Sequence, residues 1–239
     1  IDTDGGNRSM SEVLTSDIPD AEGGVFMEKS YTKIYTTGAT VPLKIRPGHF
    51  ATNHAHINYY IDVTTLKART KEAEEVAQAL VGMYLYDTVI DTIVCMEGTE
   101  VIGAFLAEEL AKGGFLSTNA HKSIYVISPE FNNNSQIIFR DNLIPMIRDK
   151  HVMILMASVT TGRTLNKAVE SIQYYGGILQ GASAIFSAMD SLDGVPIKSV
   201  FGKKDLPDYT YSDYRDCPLC KAGKKIDALV NTFGYSPMG

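Results

Sequence analysis

The chain has 239 residues, of which 44% are apolar and 21% charged, and its net charge is −6. These values predict one globular domain with a full hydrophobic core. The acidic balance argues against general nucleic-acid binding, which depends on Lys and Arg to neutralise phosphates, but leaves room for a small anionic substrate. Three cysteines are too few for a disulfide framework, and the longest apolar run, Val152 to Ala157, is only about a third of a membrane span. We therefore expect a cytoplasmic protein without a membrane segment.

The first forty residues lack a regular apolar pattern. Residues 1–9 are polar and precede Met10, and we interpret them as the remnant of an expression tag, with a disordered native terminus as the alternative. Residues 11–40 are rich in turn formers, although residues 30–37 alternate as an edge strand would. We expect residues 1–40 to form this remnant and an N-terminal arm outside the core.

The middle of the chain alternates between apolar runs rich in β-branched residues and segments with helical spacing. The predicted strands are Asp91–Met96, Lys122–Ile127, His151–Ala157 and Ile178–Met189. The predicted helices are Thr70–Tyr84, Val101–Lys112 and Leu165–Tyr175, the last two stopped by glycine pairs. Strands that are apolar throughout and alternate with helices indicate an open α/β sheet, mainly parallel, with its ligand site beyond the carboxyl ends of the strands. We expect residues 128–142 to form a long loop or flap.

One loop has the composition of a phosphate site. The strand His151–Ala157 leads into Thr160, Thr161, Gly162, Arg163 and Thr164, and a helix follows. Small hydroxylated residues and a glycine at a helix N-terminus allow backbone N–H groups to turn towards an anion. The alternative is an ordinary turn whose threonines cap the helix.

Three segments, taken together in their order along the chain, resemble the type I phosphoribosyltransferases, and most closely the orotate phosphoribosyltransferases. The loop ASVTTGRT resembles their phosphoribosyl-diphosphate signature, RPGHFATNHAHINYYIDVTTLKAR resembles their N-terminal segment, and IVCMEGTEVIGAFLAEELA resembles their pyrophosphate loop and following helix. The resemblance covers roughly residues 43–202, and the ordered set is far more specific than any single motif.

The resemblance implies the type I phosphoribosyltransferase fold with a small N-terminal hood. It also implies transfer of ribose 5-phosphate from phosphoribosyl diphosphate to a nucleobase, with Mg²⁺ as cofactor, pyrophosphate as leaving group and a homodimer as the assembly. The implied phosphate site is Thr160 to Thr164, and the implied pyrophosphate loop is Glu97, Gly98, Thr99 and Glu100. The implied ribose-site positions are Met156, Ala157 and Ser158. The implied base pocket and hood positions are Asn58, Tyr59, Tyr60, Asp62 and Asp190.

The chain departs from the family pattern at three points. The alignment on Thr160 puts Met156 and Ala157 where the family has two acidic residues that meet the ribose hydroxyls. The flap, residues 128–142, contains no lysine, and its basic residue is Arg140. Asp190 is followed by Ser191, where orotate enzymes have an arginine that pairs with the orotate carboxylate.

Two carboxylates offer a replacement for the missing acids. Glu97 and Glu100 flank the pyrophosphate loop and could act as metal-bridging groups. The alternative is a solvated loop residue and an ordinary charge at a helix N-terminus.

Histidines and cysteines offer a second kind of chemistry. His49, His54 and His56 match no common zinc spacing, so we predict that they line the substrate pocket or hood, with surface histidines as the alternative. Cys217 and Cys220 form a CxxC, which supplies half a tetrahedral zinc site and needs a histidine, a carboxylate or a symmetry mate to complete it. A structural turn ranks first for this motif, zinc second and a redox pair third.

We divide the chain into three segments. They are the arm at 1–40, a phosphoribosyltransferase-like domain at 41–215 that includes the hood, and a CxxC tail at 216–239 packed on the same domain. The first functional hypothesis is an enzyme that uses phosphoribosyl diphosphate and a nucleobase. The second is a non-catalytic sensor of phosphoribosyl diphosphate or a nucleotide on the same fold, suggested by Met156 and Ala157.

Overall fold

The computed structural model describes residues 31–112, 117–120 and 122–238. The predictions for residues 1–30 therefore lie outside the described residues. Within the described ranges no helix is long and apolar enough to cross a membrane.

In the residues that the structure describes, two six-stranded sheets, one two-stranded sheet and five α-helices build the protein. The helices are α1 (Thr64–Ala68), α2 (Thr70–Val81), α3 (Glu100–Lys112), α4 (Arg163–Tyr174) and α5 (Pro218–Lys221), with a 3-10 turn at Ile144–Met146. The strands of the first half are β1 (Thr32–Ile34), β2 (Leu43–Ala51), β3 (His56–Asp62), β4 (Thr92–Cys95), β5 (Tyr125–Ile127), β6 (Glu130–Phe131) and β7 (Ile137–Ile138). Those of the second half are β8 (His151–Val159), β9 (Ile178–Ser187), β10 (Ser191–Leu192), β11 (Val195–Gly202), β12 (Tyr211–Ser212), β13 (Ala228–Asn231) and β14 (Gly234–Pro237).

The main sheet confirms the predicted α/β architecture. Its strand order is β10-β11-β9-β8-β4-β5, and every pair is parallel except β10 with β11. Strand β8 is buried on both faces. Its side chains alternate between two cores, with Met153 and Leu155 in the core shared with α2 and α3, and Ile154 and Met156 in the core shared with α4. This two-sided burial explains why the strand is apolar throughout.

The second sheet, which we call the hood sheet, has the order β12-β3-β2-β13-β14, with β1 paired to β2. Strands β2 and β3 form an antiparallel hairpin, and β13 comes from the end of the chain to pair in parallel with β2. The C-terminal segment therefore completes a sheet that the N-terminal part of the chain begins. The tip of the β2–β3 hairpin is a turn at residues 52–55, held by a hydrogen bond from Thr52 Oγ1 to the carbonyl of Ala55.

Several predicted boundaries shift. Helix α2 ends at Val81, just before a glycine that is unfavourable in a helix, and turns follow it instead of a last helical turn. The segment 128–142, predicted as a loop, contains the hairpin of β6 and β7. Its Arg140 Nη2 lies 2.6 Å from Glu130 Oε2, so this exposed cation is paired within the hairpin.

Candidate active site

A pocket opens between the carboxyl end of β8, the start of α4 and the tip of the hood hairpin. Residues 156–165 line it on the side of the main sheet. The hood side contributes residues of the 52–54 turn and of β3, and the C-terminal strands contribute Val230 to Thr232 and Gly234. Its place beyond the carboxyl ends of parallel strands is the one that open α/β sheets favour for ligands.

The Thr160–Thr164 loop forms one wall of this pocket. Gly162 is the N-cap of α4 and has φ +74°, a left-handed conformation that favours glycine, and no side chain caps the helix through a hydrogen bond. The first N–H groups of a helix lack intrahelical partners, and here the residues that carry them line the pocket. The threonine-cap alternative does not describe this loop, since the nearest such contact, Arg163 N–H to Thr161 Oγ1, is long at 3.5 Å.

Thr160 is held by a second residue that lines the pocket. Its hydroxyl lies 3.0 Å from that of Tyr209, which is almost completely buried. Burial raises the pKa of Tyr209 to about 12, so its hydroxyl stays neutral. Tyr209 begins the polar-aromatic run YTYSDYRD, a signal too general to identify it as a pocket residue from sequence.

Positive charge surrounds the mouth of the pocket. Half-buried His54, in the hairpin turn, has its pKa lowered first by burial and then by the charges of Arg163 and Lys167. On the other side, Lys67 Nζ donates to the carbonyl of Glu97 over 2.7 Å and to that of Thr232 over 3.3 Å. Lys67, which sequence reasoning did not single out, thus ties the loop after β4 to the C-terminal strands.

The ribose-site positions present little chemistry of their own. Met156 is 1% exposed and Ala157 5%, and neither offers a hydrogen-bonding side chain. A carboxylate nevertheless reaches them from the neighbouring loop, because Glu97 Oε2 accepts a hydrogen bond from the Ser158 N–H over 3.3 Å. The backbone places it there through an unusual left-handed conformation at Glu97, with φ 60°.

Glu97 is strongly desolvated. Burial raises its pKa above the ordinary value, against opposing contributions from the Ser158 N–H, the charge of Lys67 and the Ala157 N–H. A carboxyl group whose pKa is raised by burial, at the lining of a pocket, is a candidate for function.

The rest of the 97–100 loop has other roles. Gly98 is exposed with φ +80°, and Thr99 is fully buried, its hydroxyl donating to the carbonyls of Met96 and Leu155. Exposed Glu100 accepts a hydrogen bond from Ser128 Oγ over 2.7 Å and is not part of the pocket lining. Of the two carboxylates considered as replacements for the missing acids, only Glu97 reaches the pocket.

The predicted base-pocket residues separate into two groups. Tyr60 lines the pocket and packs against Phe50 and Tyr235, and burial raises its pKa. The other four positions are not among the lining residues. Asn58 bridges to the chain at residues 208–210, Tyr59 packs on the core, Asp62 Oδ1 accepts from the Thr64 N–H, and Asp190 is exposed.

The three histidines do not act together. His54 lines the pocket, whereas His49 and His56 lie beside Cys217 and Cys220. The surface alternative is wrong for His49, which is completely buried. His49 and His56 lie on the hood strands β2 and β3, as the hood alternative predicts, but they do not line the pocket. A bulge in β2 turns His49 towards the C-terminal segment.

No family model and no curated protein sequence matches the chain. Among solved structures it is similar to a phosphoribosyltransferase from Corynebacterium diphtheriae, with 14% identity, coverage of 68% of this chain and 90% of that chain, and a TM-score of 0.49. It is similar to the orotate phosphoribosyltransferase of Mycobacterium tuberculosis H37Rv, with 15% identity, 69% and 92% coverage and a TM-score of 0.47. The adenine phosphoribosyltransferase of Leishmania donovani has 12% identity, 66% and 77% coverage and a TM-score of 0.45.

Proposed function

We propose that the protein is a phosphoribosyltransferase, which transfers ribose 5-phosphate from phosphoribosyl diphosphate to a ring nitrogen of a nucleobase and releases pyrophosphate. One observation carries the proposal: the Thr160–Thr164 loop at the start of α4 and the desolvated carboxylate of Glu97 line the same pocket. Such a transfer develops positive charge on the ribose and negative charge on the leaving group. Catalysis therefore depends on positioning and electrostatics more than on covalent chemistry.

The 5-phosphate is assigned to the Thr160–Thr164 loop. The open N–H groups at the start of α4, the hydroxyls of the loop and the nearby positive charge of Arg163 all favour a dianion there. Lys167, one turn further along α4, adds charge at the same end of the pocket, as its effect on His54 indicates.

The ribose and diphosphate are assigned to the space beside Glu97. The Glu97 carboxylate lies next to the backbone of residues 157–158, where the family pattern places acidic side chains. One of its oxygens accepts a hydrogen bond from the Ser158 N–H. Glu97 would hold Mg²⁺ through one carboxylate, a usual arrangement for an ion whose remaining ligands are water and substrate phosphates. When bound, Mg²⁺ would offset the negative charge of the diphosphate.

The base is assigned to the hood side of the pocket, near Tyr60. Lys67 and Arg163 line the pocket and supply positive charge that suits an acidic base, so orotate is the first base to test. Ser191 cannot replace the arginine of orotate enzymes, and neutral pyrimidines and purines are the alternatives. We also propose a homodimer, from the sequence resemblance, to be tested by light scattering coupled to gel filtration.

The test is pyrophosphate release from phosphoribosyl diphosphate and Mg²⁺ with a panel of orotate, uracil, adenine, hypoxanthine and guanine. We expect one base to be consumed with stoichiometric pyrophosphate release. The variant Glu100→Gln should release pyrophosphate at the wild-type rate, because the Glu100 carboxylate accepts a hydrogen bond from Ser128 outside the pocket. Failure of every base, with protein that remains folded, would contradict the enzymatic proposal.

A second candidate is a sensor that binds phosphoribosyl diphosphate or a nucleotide without turnover. The buried, non-polar side chains of Met156 and Ala157 favour it, because they stand where the family pattern has acidic side chains that accept hydrogen bonds from the ribose hydroxyls. Binding without pyrophosphate release across the whole panel would support the sensor, whereas turnover of any base would exclude it.

A further inference from the structure

A cluster of four metal-ligating side chains lies outside the pocket. His49 and His56 come from the hood hairpin, Cys217 and Cys220 from the segment around α5, and their ligand atoms all lie within 4.8 Å of one another. None of the four is among the residues that line the pocket. The cluster is therefore independent of the proposed phosphoribosyltransferase site.

The spacing of these atoms is close to that of a tetrahedral zinc shell. Bond lengths of about 2.0–2.1 Å to nitrogen and about 2.3 Å to sulfur place neighbouring ligand atoms about 3.3–3.8 Å apart. Nε2 of His49 lies 3.1 Å from Nδ1 of His56, 3.4 Å from Sγ of Cys217 and 3.6 Å from Sγ of Cys220. Sγ of Cys220 lies 3.3 Å from Nδ1 of His56. Three of these four distances fall within that range, and the fourth, between the two histidine nitrogens, is slightly shorter than it.

The backbone of β2 is shaped to present His49. Pro47 pairs with Tyr59 and Phe50 with Ile57, so two residues of β2 oppose one of β3 in a bulge that changes the direction of the side chain. The His49 N–H donates to Asp227 Oδ2 over 2.7 Å, and the Asp227 N–H donates to the His49 carbonyl over 2.7 Å. These paired bonds clamp the bulge against the C-terminal segment.

The tautomer of His49 is also fixed. Its Nδ1 lies 2.9 Å from the carbonyl oxygen of Lys224, and a carbonyl only accepts, so Nδ1 carries the proton. In the neutral imidazole, Nε2 then carries a lone pair beside the other ligand atoms of the cluster. A carbonyl that holds the second nitrogen of a histidine in this way is the usual outer support of a metal ligand.

The cysteines are presented by a tight turn. Cys217 is the N-cap of α5, the Lys221 N–H donates to its carbonyl, and the Gly223 N–H donates to that of Cys220. Gly223 has φ +72°, which allows the chain to turn back after the second cysteine. The short helix brings two thiols to one side, as a structural zinc site requires.

We propose that His49, His56, Cys217 and Cys220 bind one zinc ion in a closed structural site that fastens the C-terminal segment to the hood hairpin. All four ligands come from the protein, so no position remains for a substrate. The segment after Cys220 continues into β13, which pairs with β2 and supplies residues to the pocket wall. The ion thus fixes one wall of the pocket without taking part in its chemistry.

The test is elemental analysis and X-ray absorption of tag-free protein purified from zinc-supplemented cells. We expect one zinc per chain, with two sulfur ligands at about 2.3 Å and two nitrogen ligands at about 2.0–2.1 Å. Cys220→Ser should lower zinc affinity by at least about 100-fold, because loss of a supporting group alone costs 10–100-fold. His54→Asn, a histidine of the same hairpin outside the cluster, should keep its zinc.

Wild-type protein that binds no zinc above background after anaerobic reconstitution would overturn the proposal, as would a shell without sulfur. A Cys217–Cys220 disulfide in protein isolated under reducing conditions would also overturn it. None of these outcomes depends on whether the protein turns over a nucleobase, so the two proposals fail separately.

Discussion

The replacement of Glu97 by glutamine separates the catalytic role of this carboxylate from its structural role. Gln keeps the size of the side chain and an acceptor for the Ser158 N–H, which lies 3.3 Å from Oε2 in the native protein, but removes the charge. A hydrogen bond to a charged group contributes about 1.5–3 kcal/mol. Loss of one such bond to the ribose or to a metal ion should lower kcat/KM for phosphoribosyl diphosphate by about 10- to 150-fold.

The same substitution should not destabilise the fold at neutral pH. Because burial raises the pKa of Glu97 above its unfolded value, the native state binds this proton more tightly than the unfolded state. The contribution of Glu97 to stability is therefore full below its ordinary pKa of 4.5 and is lost as the pH rises through the folded pKa. At pH 8, Glu97→Gln should melt at the same temperature as the wild type or higher.

The assay is steady-state pyrophosphate release, with melting temperatures measured between pH 4 and pH 8. Glu100→Gln is the control and should keep its kcat/KM, since Glu100 bonds Ser128 away from the pocket. An unchanged kcat/KM in Glu97→Gln would refute the assignment of Glu97 to the substrate. A fall in melting temperature at pH 8 would refute the argument that its charge is held at a cost.

Three further substitutions test other parts of the structure. Gly162→Ala forces a left-handed φ of +74° on a residue with a side chain. We expect the free energy of unfolding, measured in urea, to fall by about 1–2 kcal/mol, and phosphoribosyl diphosphate to bind more weakly. Unchanged stability would contradict the loop conformation. Tyr209→Phe removes the hydrogen bond to Thr160, so it should lower the free energy of unfolding by about 0.5–1.5 kcal/mol and raise the KM for phosphoribosyl diphosphate. No change in either quantity would show that the contact is unimportant. Asp91, despite its partial burial, has its pKa lowered by hydrogen bonds from His151, so its contribution to stability is present above pH 3.8 and is lost as the pH falls through its folded pKa. Asp91→Asn should therefore destabilise the protein at pH 7, as thermal unfolding would measure, and an equal loss at pH 2 would contradict this explanation.

The main sheet could be predicted from sequence because its strands have a simple composition. Segments such as His151–Ala157 are apolar at every position, since both faces of the strand are covered, and the intervening helices have clear spacing and glycine stops. Strand β8 extends two residues past the predicted end, to Val159, because its pairing with β9 continues there and the Val159 side chain is buried in the core shared with α4. The phosphate-type loop was also visible, as its small residues stand between a strand and a helix.

The hood sheet could not be assembled from sequence. Strands β13 and β14 are short and partly exposed, and their partner β2 lies at the opposite end of the chain, with Ala228 paired to Phe50. The local pattern of apolar and polar residues does not predict strand pairings of this kind, because they depend on tertiary contacts.

The site contacts that sequence reasoning could not place depend on backbone geometry. The reach of Glu97 to Ser158 requires the left-handed turn at Glu97. The meeting of His56 with Cys220 joins residues 164 positions apart, so only the CxxC was visible as half a metal site and the histidines were not recognised as its completion. Lys67 bonds two backbone carbonyls, and no side-chain motif marks such a role.

The most direct test of the central claim is calorimetric titration of the protein with phosphoribosyl diphosphate in the presence of Mg²⁺. The account predicts saturable binding that ribose 5-phosphate displaces, that Gly162→Ala weakens and that Glu100→Gln leaves unchanged. Absence of binding by folded wild-type protein would contradict the account, because the Thr160–Thr164 loop would then be only the start of a helix.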